Sequence, residues 1–327
     1  IYMADVISIG IAGATGYAGQ ELIRLAARHP AVRVTTAMAS GDTDTVRMLP
    51  ALTRVWDGEI TPLAVDRLAA ETEAVFMTLP DAVAAVVGPE LVTRGVRVFD
   101  LSGTFRLRDP QQRRHWYPAA PDLPEAAVYG LTEHYRSALP GARLIACPGC
   151  YPTAAVLTLR PLIDAGLLEG DIVIDAKSGI SGAGKRPSER THFSECHGNV
   201  AAYSLFEHRH GAEIEQELKQ TVTFTPHLVP LDRGILETIY VRVRRAVSET
   251  MVATTLEQAY ADAPFVRLTG DALPEIKHVT HTNFCDIGWR IDIPSRRLVL
   301  VACLDNLIKG AAGLGGGGVC GVCKQSA

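Results

Sequence analysis

Several features are missing from this sequence, and each absence excludes a class of protein. No apolar run in the 327 residues is long enough to span a membrane, and the amino terminus lacks a signal-peptide pattern. No basic block stands out and the net charge is −4, which argues against nucleic acid as a partner. The seven cysteines are scattered and odd in number, as in proteins of the reducing cytoplasm, where disulfide frameworks are rare. We therefore expect a cytoplasmic globular protein without a membrane partner, long enough for two domains.

The first 40 residues have the pattern of a dinucleotide-binding unit. Residues 6–12 form an apolar run typical of a buried parallel strand, and residues 13–19 (GATGYAG) follow directly. An amphipathic helix pattern begins at Glu21, and residues 32–38 read as a second strand. The spacing is GxxGxxG rather than the commoner GxGxxG, but such glycines let the backbone approach a pyrophosphate at the helix N-terminus. The residues predicted to contact the nucleotide are Gly13, Thr15, Gly16, Tyr17 and Ala18.

The end of the second strand indicates which dinucleotide is bound. NAD enzymes usually carry an Asp or Glu about 20 residues after the glycines, where it binds the ribose hydroxyls. Ser40 stands in that region, and its small side chain leaves room for a 2′-phosphate, with which Arg47 could pair. Asp42 and Asp44 follow closely and weaken that preference. We predict NADP as the cofactor, with solvated loop residues as the alternative interpretation of each position.

A further candidate ligand follows a later strand. Residues 74–80 and 96–103 read as strands, with a helix pattern over 81–92 between them. Ligands collect at the carboxyl ends of parallel strands. Arg106 comes just after the second of these strands, so it is either an anion ligand or ordinary surface charge.

Cys150 has the clearest chemical signal in the chain. Gly149 allows a sharp turn, Pro152 suits a first helical turn, and the apolar residues 154–159 continue as a helix. A thiol at a helix start is exposed to the positive end of the helix dipole, which favours the thiolate. A thiolate is the nucleophile that acyl transfer needs, although a small buried cysteine at a tight turn gives the same pattern.

The second half of the chain alternates apolar and polar residues. This alternation over 236–244, 285–293 and 297–304 predicts an antiparallel sheet packed on helices, with one face free to pair with a second subunit. A strand at 171–177 leads into residues 178–186, a glycine-rich loop that ends with two cations. That loop is either a cradle for an oxyanion or a flexible linker.

Two histidines precede a helical pattern over residues 211–218. His208 and His210 at a helix start are kept neutral by the dipole and could act as a base, and Arg209 between them could hold a carboxylate. Glu213 stands where a capping-box acid would, or it could orient a histidine. An ordinary surface role remains the alternative for each histidine.

These patterns together predict an α/β protein of two domains. A Rossmann-type dinucleotide-binding domain takes residues 1–149 and 305–327, and an α+β domain with a largely antiparallel sheet takes residues 150–304. A last helix over 306–313 is expected to return to the first domain. Cys320 and Cys323 have CxxC spacing but no matching second pair, so no metal site is predicted.

The sequence resembles the N-acetyl-γ-glutamyl-phosphate reductases, which belong with aspartate-semialdehyde dehydrogenase among NADP-linked acyl-phosphate reductases. The matching stretches run in the family's order over nearly the whole chain, at residues 13–19, 100–107, 148–153, 176–184, 208–210, 224–234 and 304–313. The resemblance implies a homo-oligomeric enzyme, a dimer or tetramer, of arginine biosynthesis. Its substrate would be a small acyl phosphate, reduced by NADPH through a thioester on Cys150 to N-acetylglutamate 5-semialdehyde and phosphate.

The resemblance also implies roles for individual residues. The acid–base residue is one of His208 and His210, with His210 favoured, and Arg209 would bind the α-carboxylate. Arg106 would bind the phosphate, together with the loop around Ser181. The other positions implied by the family are Ser181, Gly182 and Asn306 at the cofactor, and Ser178 and Glu213 at the substrate.

The chain departs from the family at two places. Residues 203–207 (YSLFE) replace a glycine-bearing approach to the histidines. Four glycines at 315–318 follow Leu314, and glycine costs about 1 kcal/mol per helical position relative to alanine, so a final helix should fray there. Two alternatives therefore stay open: another acyl-phosphate reductase, acting on aspartyl or aminoadipyl phosphate, and an inactive nucleotide-binding homologue.

Overall fold

The computed structural model describes residues 6–40, 46–122 and 127–314, and it divides into two compact units. The first unit takes the chain up to Pro148 and resumes at Ala311, and the second is Gly149–Gly310. The sequence predicts residues 305–310 in the first domain, whereas they pack within the second unit. None of the helices in the described ranges has the combined length and low polarity that a membrane crossing requires.

The first unit is a parallel sheet with helices between its strands. Its strands are β1 (Ile7–Ala12), β2 (Val32–Ala39), β3 (Ile60–Pro62), β4 (Ala74–Met77), β5 (Arg97–Asp100), β6 (Val128–Tyr129) and β7 (Leu144–Ala146). Its helices are α1 (Tyr17–Ala26), α2 (Val65–Glu71), α3 (Asp81–Thr93), α4 (Pro110–Trp116) and α5 (Thr132–Tyr135), with a 3₁₀ turn at Pro50–Leu52. All strand pairs are parallel, in the order β3-β2-β1-β4-β5-β7-β6. The order reverses at β1, which is where ligands bind in such sheets.

Apolar strands explain why this sheet is buried on both faces. All four residues of β4 are buried, as expected where helices cover both sides of a sheet. One face packs Phe76 on Phe99, with ring centroids 4.8 Å apart, and the other buries Val75 and Val98 against Leu91 of α3. The prediction of a Rossmann-type first domain is confirmed.

The second unit is built around a largely antiparallel sheet. Its strands are β8 (Leu168–Gly179), β9 (Ala201–Ala202), β10 (Val222–Val229), β11 (Ile235–Val243), β12 (Val266–Gly270), β13 (Cys285–Asp292) and β14 (Arg297–Leu304). Its helices are α6 (Cys150–Asp164), α7 (Phe193–Cys196), α8 (Arg209–Leu218) and α9 (Glu249–Tyr260), with 3₁₀ turns at Ile180–Ala183, Glu189–Thr191 and Ile276–His278. The order is β12-β13-β14-β11-β8-β10-β9, and among the described strands of this second sheet only the β8–β10 and β12–β13 pairs are parallel.

The predicted alternation is visible along β11. Ile235, Ile239 and Val241 are buried on the face that packs against α6, while Tyr240 and Arg242 are exposed on the other face. The prediction of an antiparallel α+β domain with one open sheet face is therefore confirmed.

The predicted helix over 306–313 is wrong in type. The chain forms a turn after Asp305 and then a π-helix, Ile308–Ala312, and Gly310 donates its N–H to the Asp305 carbonyl five residues earlier at 2.9 Å. The buried Asp305 carboxylate accepts the N–H groups of Leu307 and Ile308 at 2.8 and 3.0 Å, as a helix N-cap does. The glycines at 315–318, both tail cysteines, Asp42 and Asp44 lie outside the described residues.

Candidate active site

The glycine-rich turn between β1 and α1 has the backbone geometry of a phosphate cradle. Gly13 has a φ of +96°, and a Cβ added there would lie 2.5 Å from the Thr78 carbonyl oxygen. A Cβ added to Gly19 would lie 2.4 Å from the Gly13 oxygen. Gly16 is the N-cap of α1 and has no side chain to cover the helix terminus. Because only glycine fits at Gly13 and Gly19, the backbone packs closely at the start of α1, and this turn at a helix N-terminus fits a dinucleotide pyrophosphate.

The remaining cofactor candidates of the first unit lie on its outer strands. Ser40 directly follows β2 and is exposed. Arg47 exchanges both backbone hydrogen bonds with Ile60 of β3, at 3.0 and 2.9 Å, and is exposed as well. Because β3 separates Arg47 from β2, about two strand spacings or 10 Å lie between their backbones. The pairing of Arg47 with a 2′-phosphate at Ser40 therefore needs most of the arginine's reach and stays a prediction.

Arg106 is buried at the carboxyl ends of β5 and β7. Its Nε donates to the Cys147 carbonyl at 2.7 Å, and its Nη2 donates to the Leu101 carbonyl at 3.1 Å. Asp100 next to it is fully buried, and burial raises the pKa of that carboxyl. These contacts hold the strand ends together, and the predicted phosphate role of Arg106 remains a prediction.

Cys150 is the first helical residue of α6, as predicted from the sequence. Gly149 is the N-cap with an extended backbone, and Thr153 donates to the Gly149 carbonyl through its N–H and its hydroxyl, at 2.9 and 2.8 Å. Cys150 is partly exposed. Cys147 differs because burial raises the pKa of its thiol to about 12, so it stays protonated at neutral pH.

His208 caps α8, so the capping box, one of the two interpretations of Glu213, does not form there. The Nδ1 atom of His208 accepts the His210 N–H at 3.1 Å. Burial first and the neighbouring Arg209 second lower the pKa of His208 to about 4. His208 is therefore neutral at pH 7, with its proton on Nε2, and the ring lies among those of Tyr151 and Tyr203.

His210 and Glu213 both reach the residue before Cys150. A Cβ added to Gly149 would lie 2.4 Å from the His210 Nε2, so this imidazole nitrogen sits against the Gly149 Cα. The Glu213 Oε1 accepts the Gly149 N–H at 2.9 Å, and Glu213 is 1% exposed. The second unit thus brings together the thiol, an imidazole and a carboxylate.

The loop after β8 is tied to the chain after β14. The Asn306 amide donates to the Ser181 hydroxyl at 2.9 Å, while its oxygen accepts the Gly234 N–H at 2.8 Å. A Cβ added to Gly182 would lie 2.9 Å from the Ser178 Oγ. Four predicted cofactor and substrate residues therefore meet here, with Ser178 and Gly179 closing β8 and a 3₁₀ turn following.

The segment that replaces the family's glycine-bearing approach has an unusual backbone. Ser204 and Phe206 have φ angles of 48° and 58°, and Phe206 is 82% exposed. The left-handed region costs a non-glycine residue about 1 kcal/mol, so glycine would relieve strain at both positions.

Sequence reasoning missed three residues of this site: Gly310, Tyr151 and Tyr203. Gly310 touches the nucleophile, since a Cβ added there would lie 2.6 Å from the Cys150 Cβ. The Tyr151 hydroxyl donates to the His227 carbonyl at 3.2 Å and lies 3.4 Å from the Tyr203 hydroxyl. Only Tyr151 had a local signal, because it is an aromatic residue in the first turn of the Cys150 helix.

Two family models and many relatives match this chain. The models are described as "Semialdehyde dehydrogenase, NAD binding domain" over residues 8–142 and "Semialdehyde dehydrogenase, dimerisation domain" over residues 150–306. N-acetyl-gamma-glutamyl-phosphate reductases from Halorhodospira halophila and Brevibacillus brevis are 45% and 41% identical to it, each covering 94% of the chain and 93% of the relative. The chain belongs to the N-acetyl-γ-glutamyl-phosphate reductase family.

Solved structures more distant from this reductase family share its fold. Aspartate semialdehyde dehydrogenase II from Vibrio cholerae, complexed with ASA, superposes with a TM-score of 0.75 at 18% identity, covering 98% of this chain and 99% of that one. Aspartate semialdehyde dehydrogenase from Candida albicans, solved with NADP, has a TM-score of 0.70 at 20% identity with the same coverage. These structures establish the fold of this N-acetyl-γ-glutamyl-phosphate reductase family member independently of its close relatives.

Proposed function

We propose that this chain reduces N-acetyl-γ-glutamyl phosphate with NADPH to N-acetylglutamate 5-semialdehyde and phosphate, a step of arginine biosynthesis. The names of relatives more than 40% identical support the substrate. The observation that carries the chemistry is the contact of the His210 Nε2 with Gly149, one residue before a cysteine at a helix start.

The first half-reaction is acyl transfer to sulfur. The Cys150 thiolate attacks the γ-carbonyl carbon, and the bond from that carbon to the phosphate oxygen breaks as phosphate leaves. The product is a thioester on Cys150. The positive end of the α6 dipole stabilises the negative charge that develops on the carbonyl oxygen.

The second half-reaction releases the aldehyde. Bound NADPH supplies the hydride that reduces the thioester carbon. We assign to His210 the proton that completes the thiohemiacetal hydroxyl. His210 then takes this proton back as the carbon–sulfur bond breaks, and Cys150 leaves as thiolate. His208 does not fit this role, because its Nδ1 accepts a backbone hydrogen bond and its pKa of about 4 keeps it neutral.

We assign the cofactor to the turn around Gly13, Thr15 and Gly16 in the first unit. The close backbone packing that Gly13 and Gly19 permit at the start of α1 supports this assignment. Exposed Ser40 supports NADP over NAD, as does the NADP named with the Candida albicans structure. Arg106 and Arg209 remain our candidates for the phosphate and the α-carboxylate of the substrate.

We further propose a cytoplasmic homo-oligomer that pairs through the open face of the second sheet. The family model over residues 150–306 is described as a dimerisation domain, which supports this surface. Val173, Tyr240 and Val299 are directly opposed on three neighbouring strands of that face; the two valines are half-buried and Tyr240 is exposed. The five cysteines in the described residues are all free thiols, which supports a reducing compartment.

The test is the reverse reaction with alternative aldehydes. We expect NADP⁺ reduction that requires phosphate and prefers N-acetylglutamate 5-semialdehyde over aspartate and aminoadipate semialdehydes. Cys150→Ala should abolish this turnover and leave the circular dichroism spectrum unchanged. Preference for another aldehyde would reassign the substrate, and no turnover with any of them would favour the inactive homologue.

A further inference from the structure

The backbone residue before the nucleophile is held by helix α8 at two of its atoms. Glu213 accepts the N–H of Gly149 at 2.9 Å, and the His210 Nε2 lies against the Gly149 Cα. His210 and Glu213 are three residues apart on one helix, so their side chains share a face. One rigid element therefore fixes both the imidazole and the turn that carries Cys150.

The burial of Glu213 distinguishes it from a residue that binds a ligand. Its side chain is 1% exposed, and a buried carboxylate is costly unless hydrogen bonds compensate it. The Gly149 N–H supplies a charge-assisted hydrogen bond, the stronger class of such bonds. A carboxylate committed in this way is poorly placed to bind a substrate, the role that the family resemblance implied for it.

We propose that Glu213 is a positioning residue, which locks the turn before Cys150 to α8 and so sets the nucleophile against His210. This proposal rests on the proposed function for its turnover readout. A second readout, the reactivity of the Cys150 thiol in the free protein, is independent of any substrate.

Two conservative variants separate positioning from substrate recognition. Glu213→Gln removes the charge but keeps an oxygen acceptor at the same distance from the helix. Glu213→Asp keeps the charge but withdraws the acceptor by one methylene. The matched control is Glu217→Asp, because Glu217 is also buried on α8 but lies 3.7 Å from Arg160, away from Gly149.

The measurements are iodoacetamide alkylation of Cys150, followed on its peptide by mass spectrometry, and steady-state kinetics. Positioning predicts that Glu213→Asp changes the alkylation rate at least about fivefold and lowers kcat about tenfold, the equivalent of one lost hydrogen bond, with KM changed less than about twofold. Glu213→Gln should stay within about threefold of the wild type in both readouts, since its neutral hydrogen bond is weaker but present. Glu217→Asp should alkylate and turn over as the wild type does.

Two results would overturn the proposal. One is wild-type alkylation in Glu213→Asp. The other is a KM raised about tenfold or more in Glu213→Gln with unchanged alkylation, since that identifies a substrate ligand. If the wild type reduces none of the acyl phosphates tested, the proposed function fails, and the alkylation rates alone still decide the role of Glu213.

Discussion

At the scale of single residues, two histidines two positions apart have different surroundings and so different chemistry. His208 caps α8, and its Nδ1 is occupied because it accepts a backbone N–H. His210 directs its Nε2 at the residue before Cys150. Because both side chains are imidazoles, their positions at the start of α8 decide which of the two can transfer a proton.

Replacing each histidine by asparagine tests this division. Asparagine is a good N-cap residue, so His208→Asn should keep kcat within about fivefold of the wild type. His210→Asn should lower kcat at least about a hundredfold, the usual contribution of a general acid–base. The measurement is kcat at pH 7, with helix content by circular dichroism as the control. Equal losses in both variants would refute the assignment of His210.

Glu237 is a buried acid that the reaction does not use. It is fully buried on β11, across from Ala176 and Ala302, and neither carboxyl oxygen has a hydrogen-bond partner among the described residues. Burial raises the pKa of Glu237 well above its usual value of 4.5. The carboxyl is therefore protonated in the folded protein at pH values where the unfolded chain has already ionised it.

This raised pKa predicts a stability that falls with rising pH. Above the unfolded pKa the unfolded state binds fewer protons, so each pH unit up to the folded pKa removes up to about 1.4 kcal/mol. Glu237→Gln cannot ionise and escapes this loss. Urea unfolding at pH 5 and at pH 8 should show that the free energy of unfolding of Glu237→Gln rises, relative to that of the wild type, as the pH increases. A difference that is the same at both pH values would show that Glu237 does not titrate this way.

At the scale of elements, the turn that follows β14 and contains Gly310, called the return turn below, packs against Cys150. Gly310 donates its N–H to the Asp305 carbonyl at 2.9 Å, and its Cα faces the start of α6. A Cβ at this position would lie 2.6 Å from the Cys150 Cβ and 3.1 Å from its Cα. Neither is the movable end of a side chain, so the start of α6 or the turn has to shift.

We expect Gly310→Ala to displace Cys150 and to lower kcat about a hundredfold, because misplacing a reacting group by about 1 Å has effects of that size. The control is Gly211→Ala on α8, where an added Cβ meets no atom within 4 Å. That control should fold and turn over normally, since alanine favours the helix by up to about 1 kcal/mol. Normal kinetics in Gly310→Ala would show that the return turn does not constrain the nucleophile.

At the scale of the whole molecule, the open face of the second sheet is the surface that we assign to self-association. Tyr240 is 46% exposed at the centre of that face, with Val173 and Val299 beside it. Tyr240→Arg adds a charge to this apolar row and should shift the mass measured by light scattering from oligomer towards monomer. Val86→Arg is the control, because Val86 is 68% exposed on α3 in the first unit. An unchanged mass in Tyr240→Arg would assign the interface elsewhere.

The sequence predicts the features that rest on contacts between residues close together in the chain, and it misses those that rest on contacts between distant residues. The parallel sheet, the glycine turn and the helix start at Cys150 follow from local patterns of apolar residues, glycine and proline. The contact of Glu213 with Gly149 joins positions 64 residues apart, and a capping box at the expected spacing was the simpler local interpretation. The π-helix at 308–312 was missed because its five-residue hydrogen-bond spacing has no local signature in the sequence.

The thioester on Cys150 is the central claim, and the reverse reaction without phosphate tests it most directly. With N-acetylglutamate 5-semialdehyde and NADP⁺ alone, we predict a burst of one NADPH per active site. Mass spectrometry should then find one N-acetylglutamyl group on the peptide that contains Cys150, and added phosphate should restart turnover. A burst without this adduct, or an adduct on another residue, would contradict the account.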